Sequence, residues 1–179
     1  MEPKWLLTKR KIEALVSQYE LTDPVLRAIF TQNDTRSPKA FISHSSNDKD
    51  FVKKVLAFLF FSKGVQGYVD WQDPSMPSVT NAETAKILKK RIENAPKLIF
   101  IVTYESLKSV WCSWELGYAD KANGAESIAV LAIKPNNGKW KKNEYLQQYP
   151  WISYDEKDRL FKVHLLNDTT MTLFEWLDA

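Results

Sequence analysis

The sequence predicts an α/β domain: a mostly parallel sheet with helices on both faces. Two observations carry this. Short continuous apolar runs, apt for strands buried on both faces, recur along the chain. Between them lie stretches whose apolar residues repeat at helical spacing, and strand–helix alternation is the signature of parallel pairing through crossovers. A chain of 179 residues, 44% apolar, has enough material for one such core. Five strands in about 140 residues fit a flavodoxin-like order better than a six-stranded dinucleotide-binding fold.

Residues 4–31 read as helical, with Leu6, Leu7, Ile12, Leu15, Val16 and Tyr19 roughly on one face. Asp23 before Pro24 starts a second short helix, because proline at the first helical position loses no needed donor. Thr31 to Pro38 is a polar linker. These features divide the chain into an N-terminal helical extension, 1–36, and a domain over 37–179.

The domain opens with Lys39-Ala-Phe-Ile-Ser43, a short apolar strand that ends in His44-Ser-Ser-Asn-Asp48, a turn suited to a helix N-cap. Phe51, Val52, Val55, Leu56, Leu59 and Phe60 then mark a helix over 49–63, closed by Gly64. Val65 to Asp70 is the next strand. The connection from Trp71 to Val79 carries Pro74 and Pro77, which forbid a regular element. Thr80 and Glu83 have capping-box spacing and start a helix that runs to about Asn94.

Lys97-Leu-Ile-Phe-Ile-Val102 is a buried strand, and a helix follows that contains Ser109 to Asp120. Ser127 to Ile133 is another continuous apolar strand, and Pro135 to Lys139 is a turn. The aromatic-rich segment 140–154 has no clear period. Leu160 to Leu165 alternates like a strand at a sheet edge. A short helix over 172–177 closes the chain, with capping-box spacing between Thr172 and Glu175.

Composition excludes several function classes. A net charge of +3 gives no basic footprint for nucleic acid. No apolar run reaches the roughly 18 residues of a membrane span, and the charged, proline-interrupted start is no signal peptide. The single cysteine, Cys112, forbids an internal disulfide and fits a reducing cytoplasm. With it and two scattered histidines, His44 and His164, no metal-ligand spacing is present. The expectation is a cytoplasmic chain with no metal and no cofactor, engaging neither nucleic acid nor membrane.

In parallel sheets, ligands bind beyond the carboxyl ends of the strands. The segments there, 44–48, 71–79 and 103–115, hold nearly every unusual residue of the chain. The focus is Ser109-Val-Trp-Cys-Ser-Trp-Glu-Leu-Gly-Tyr-Ala-Asp120, where a glutamate sits in an apolar patch. On a helix, Trp111 and Glu115 share a face. A ring there can stack on a planar group while the carboxylate meets developing positive charge. Cys112, with no histidine nearby in sequence, reads as a small buried hydrophobe. The Lys89-Lys90-Arg91 and Lys139–Lys142 runs read as solvated faces.

These residues resemble the Toll/interleukin-1 receptor (TIR) domain family, particularly its bacterial NAD-cleaving members. Ala40-Phe-Ile-Ser-His44 with Ser45 to Lys49 is similar to the family's first box. Val69-Asp70 and the proline-bearing loop correspond to its second strand and following loop. Ser109-x-x-Cys112-x-x-Glu115 resembles its Ser-x-x-Cys-x-x-Glu signature. The similarity spans residue 39 to about 178.

The resemblance implies an NAD+ nucleosidase or cyclase that splits the nicotinamide–ribose bond and releases nicotinamide with ADP-ribose or a cyclic variant. NAD+ is then substrate, not cofactor. By position Glu115 is catalytic, and Trp111, Ser43, His44, Ser45 and Asp70 line the substrate pocket. A small free-standing member also resembles the signal-producing component of anti-phage systems such as Thoeris. There a diffusible nucleotide product activates a separate effector protein, and activity goes with TIR–TIR self-association. Two departures stand out: Ser45 and Ser46 replace arginines found in some enzymatic relatives, leaving phosphate to backbone donors, hydroxyls or another subunit, with Lys49 and Lys86 as candidates, and the 71–79 loop lacks the usual glycine. Two other readings share this fold: a non-enzymatic adaptor acting by TIR–TIR assembly, and a nucleoside deoxyribosyltransferase-like enzyme.

Overall fold

The structure, a computed structural model, describes residues 6–17, 19, 38–63, 67–137 and 143–179. Eight strands and five α-helices occur among them: β1 (Leu7–Thr8), α1 (Lys9–Ser17), β2 (Ala40–Ser43), α2 (Lys49–Lys63), β3 (Gly67–Tyr68), α3 (Ala82–Asn94), β4 (Lys97–Val102), α4 (Val110–Asn123), β5 (Ile128–Lys134), β6 (Trp151–Asp155), β7 (Leu160–His164), β8 (Thr170–Thr172) and α5 (Leu173–Asp178). The sheet runs β3-β2-β4-β5-β6-β7-β8, parallel as far as β6 and antiparallel from β6 to β8. The five parallel strands thus have the flavodoxin-like order, the order of strand addition switching to the other side of the sheet between β2 and β4.

Because successive strand residues point to opposite faces, each buried strand feeds two cores. Ile42, Ile99, Ile101, Ala129 and Leu131 face α1, α2 and α5, against Ile12, Val52, Val55, Leu59 and Trp176. Phe41, Leu98, Phe100, Val102 and Val130 face α3 and α4, against Leu88, Ile92, Cys112 and Leu116. Strands apolar on both faces are what a doubly covered sheet requires. Gly67 in β3 lets the chain pass Ile42, whose Cγ1 lies 2.6 Å from where a β-carbon would stand.

Several elements depart from the sequence reading. The fifth parallel strand is Trp151–Asp155, inside the segment without a clear period, and a 3-10 turn, Glu144–Gln148, precedes it. Leu160–His164 is antiparallel as its alternation suggests, yet β8 pairs outside it, so it is not the edge. The strand ending at Asp70 is paired only over Gly67–Tyr68, and Asp70 already opens a 3-10 turn.

The cap of α3 is Asn81, not Thr80. Its side chain accepts from the amides of Glu83 (2.8 Å) and Thr84 (3.3 Å), while the Thr84 hydroxyl accepts from the Asn81 amide. Asparagine reaches both orphan donors of the first turn, so the box closes one residue later. The Thr172–Glu175 box at α5 forms as the spacing indicates.

Leu7 and Thr8 pair in parallel with Ile133 and Lys134 at the end of β5, and Ile12 and Val16 of α1 are buried in the core shared with α2. The helix starting at Pro24, the division at 36/37, Gly64 and the 139–142 lysines lie outside the described residues.

Candidate active site

The site is built on the first two turns of α4. Ser109 caps the helix, its hydroxyl accepting from the Cys112 amide at 3.3 Å. The helix buries Cys112, Glu115, Leu116 and Ala119 against the sheet. Glu115 therefore sits inward, 7% exposed, over the carboxyl end of β2. Ser43, the last residue of β2, alternates with Ile42 and so faces α4. Its hydroxyl, fully buried, donates to Oε2 of Glu115 at 2.6 Å. The second carboxyl oxygen, Oε1, has no hydrogen-bond partner among the described residues.

Burial dominates the chemistry of this carboxyl group. It pushes the pKa up to about 8; the Ser43 hydroxyl opposes the rise and the negative charge of Asp70 adds to it. Glu115 is thus mostly protonated at neutral pH when no cation is beside it. Cys112 is buried on the same helix. Burial raises its thiol to about 11, against the pull of the Ser109 and Ser43 hydroxyls, so it stays a neutral thiol.

The other sequence-predicted residues divide into two groups. Asp70, 43% exposed at its side chain, faces solvent, its Oδ1 accepting from the Trp71 amide at 2.7 Å. Its charge reaches both Glu115 and Cys112. His44 and Ser45 are bound into the frame instead. Nδ1 of His44 is 3.1 Å from the Ile42 carbonyl oxygen and must donate there, since a carbonyl only accepts.

The His44 ring stands edge-on to Trp71 at 4.5 Å, with Nε2 3.6 Å from Asp70, and burial lowers its pKa. Ser45 caps the 3-10 turn Ser46–Asp48 by accepting from the Asn47 amide. Trp111 is half-buried and edge-on to Trp114 at 5.6 Å. Of the lysines considered for phosphate, Lys49 lies over the Trp71 ring at 5.5 Å and Lys86 pairs with Glu83 at 3.1 Å.

Sequence reasoning missed Asp73. Its side chain, 2% exposed, accepts from Tyr68 Oη (3.0 Å), Arg91 Nε (2.7 Å) and both the amide (2.9 Å) and hydroxyl (2.6 Å) of Ser75. Burial alone would raise its pKa, but these donors outweigh it and hold the carboxyl at about 2. The 71–79 loop is thereby latched to α3, and Arg91 is no part of a solvated face. The signal was Asp73-Pro-Ser75, an Asx-turn pattern.

A separate hollow of about 220 Å³ opens beyond β4 and β5, lined by Lys9, Phe51, Thr103, Tyr104 and Lys134 among others; no predicted site residue borders it. Among the described residues, no cluster of histidine, cysteine, aspartate or glutamate could hold a metal ion. No described helix is long and apolar enough to cross a membrane.

A doubly wound sheet in this order, with a buried glutamate on the helix after β4, defines a class, and the sequence comparison agrees. The TIR domain profile matches residues 40–165, so the chain belongs to the TIR domain family. It is 32% identical over 117 residues to a protein of Bacillus cereus named, provisionally, 3' cyclic ADP-D-ribose synthase ThsB', covering 63% of this chain and 59% of that one. It is 31% identical over 143 residues to a Cytobacillus dafuensis protein named, again provisionally, cyclic ADP-D-ribose synthase TIR2, covering 69% of this chain and 38% of that one. The chain thus spans about three-fifths or less of the length of these relatives. Its fold matches the TIR domain of the Toll-related receptor TRR-2 of Hydra magnipapillata with a TM-score of 0.51, at 16% identity, over 68% of this chain and 87% of that one.

Proposed function

We propose that the protein is an NAD+-cleaving enzyme of the cyclic ADP-ribose-forming type, with Glu115 as its catalytic residue. The observation that carries this is the Glu115 carboxyl group itself: buried at the carboxyl edge of the sheet, bound by a buried hydroxyl, with its pKa pushed up to about 8. Carboxyl groups shifted this far by burial cluster at functional sites. The names of both bacterial relatives point to the same substrate and product class.

The chemistry suits a single carboxylate. The bond between ribose and nicotinamide breaks heterolytically, the electron pair leaves with nicotinamide, and that base departs neutral, so no acid need protonate it. Positive charge develops on the ribose, as in other glycosidic cleavages. An ionised Glu115 stabilises that charge and holds the ribose hydroxyls. The cationic nicotinamide ring of NAD+ favours ionisation of a carboxyl group that is otherwise mostly neutral at pH 7. Capture of the sugar cation by water gives ADP-ribose; capture within the same molecule gives the cyclic product.

Trp111 would stack on the base and Asp70 would contact ribose. In this reading no cofactor takes part, activity accompanies TIR–TIR self-association, and the product acts in the cytoplasm as a diffusible signal to an effector protein in anti-phage defence.

The test is nicotinamide release from NAD+ by concentrated protein and by Glu115→Gln, with mass analysis of the nucleotide product. Release by the first and a loss of at least about a hundredfold in the second is expected. Silence from the wild type at concentrations where it self-associates would leave assembly alone as its role, and turnover of deoxynucleosides instead would select transferase chemistry.

A further inference from the structure

Among the described residues, Ser43 is the one hydroxyl that meets the Glu115 carboxyl group. It comes from 72 residues earlier in the chain and is 0% exposed, so its Oγ has been withdrawn from solvent in order to touch Oε2. Its one proton is committed to Glu115, so it has none to donate to a phosphate.

The backbone makes the contact rigid. Ser43 is bonded into the sheet, its Cα registered with that of Phe100 on β4. Glu115 rides on a helix whose neighbours Leu116 and Ala119 are packed into the core. Neither end can shift without moving a core element.

We propose that Ser43 is a positioning residue: its hydroxyl fixes Oε2 of Glu115, so that the remaining oxygen, Oε1, is presented to the reacting sugar. This rests on the reading of Glu115 as the catalytic carboxylate. The hydroxyl also favours the ionised form, because it donates to the charge and burial offers no other donor among the described residues. Cys112, buried on the same face of the helix, stays a neutral thiol and adds no charge beside Glu115.

Ser43→Ala separates this role from substrate contact. A charge-assisted hydrogen bond lost from a buried carboxylate moves its pKa up by about one pH unit or more. The acid limb of kcat/KM for NAD+ cleavage is expected to move up by that amount. At high pH kcat should fall about ten- to a hundredfold from misplacement, with KM little changed, and Ser43→Thr should restore both. The same shift is read without any substrate, by carbon-13 NMR of labelled glutamate in the free protein.

A shifted Glu115 titration with no NAD+ cleavage by any variant would confirm the Ser43–Glu115 hydrogen bond but overturn the enzymatic reading, and the positioning role with it. An unchanged titration and unchanged acid limb in Ser43→Ala would overturn the proposal, as would a rise in KM at unchanged kcat, which marks a substrate contact. Should Ser43→Ala fail to fold, Ser43→Cys decides: a weaker donor of similar shape must give a smaller shift in the same direction, and no shift refutes the role.

Discussion

Replacing Glu115 by glutamine should make the protein more stable at neutral pH, and the size of the gain follows from burial. The side chain has an ordinary pKa of 4.5 and is pushed to about 8 in the fold. A carboxyl group whose pKa is raised on folding binds protons more tightly in the native state. Its contribution is complete below pH 4.5, is lost progressively as pH rises, and levels off above about 8. At about 1.36 kcal/mol per pH unit, that gap corresponds to roughly 5 kcal/mol as an upper limit, with roughly two-thirds of it already lost at pH 7. Water entering the site reduces the figure.

Glutamine keeps the volume, accepts from Ser43, and carries no charge at any pH. The assay is urea denaturation of both proteins in steps from pH 4.5 to 9. The stability difference should favour the variant increasingly across that window and become flat beyond it. Parallel curves for the two proteins would refute the burial argument. So would a difference that grows toward acid.

Three further outcomes are expected. If catalysis needs ionised Glu115, kcat/KM for NAD+ cleavage should climb about tenfold per pH unit below a limb near 8, because that ratio reports the free protein's carboxyl group; initial rates across pH measure it. Asp73→Asn weakens hydrogen bonds that Arg91, Tyr68 and Ser75 all donate, and should cost about 1.5–3 kcal/mol by chemical denaturation at pH 7. Asp73 is held at about 2, below its ordinary 3.8, so its contribution to stability is present above pH 3.8 and disappears as pH falls toward 2. Trp176→Ala empties a core position that is 2% exposed and loses the indole donation to the Glu126 carbonyl at 3.2 Å, costing about 3–5 kcal/mol, read as a lowered urea midpoint at unchanged slope.

Much of this molecule was legible in its residues taken one stretch at a time. Continuous apolar runs located β2, β4 and β5 within a residue, because a strand buried on both faces has no polar side to show. Helical spacing located α2, and capping-box spacing found α3 to within a turn. Position on α4 also singled out Glu115 as a carboxylate among apolar neighbours. All of these are periodicities and caps, which act within a few residues.

What residues distant in sequence do to one another was decided only by the tertiary fold. Nothing near Ser43 says that its hydroxyl ends against a carboxyl group 72 residues later. Nothing in Lys89-Lys90-Arg91 says that its last member anchors Asp73. The pairing of Leu7 with Ile133, and the addition of β6 as fifth parallel strand, depend on which sheet edge was left open once β4 and β5 had paired. Local patterns set which segments become strands and helices. Which donor meets which acceptor is set by packing, and only there does a buried glutamate acquire the neighbours that move its pKa from 4.5 to about 8.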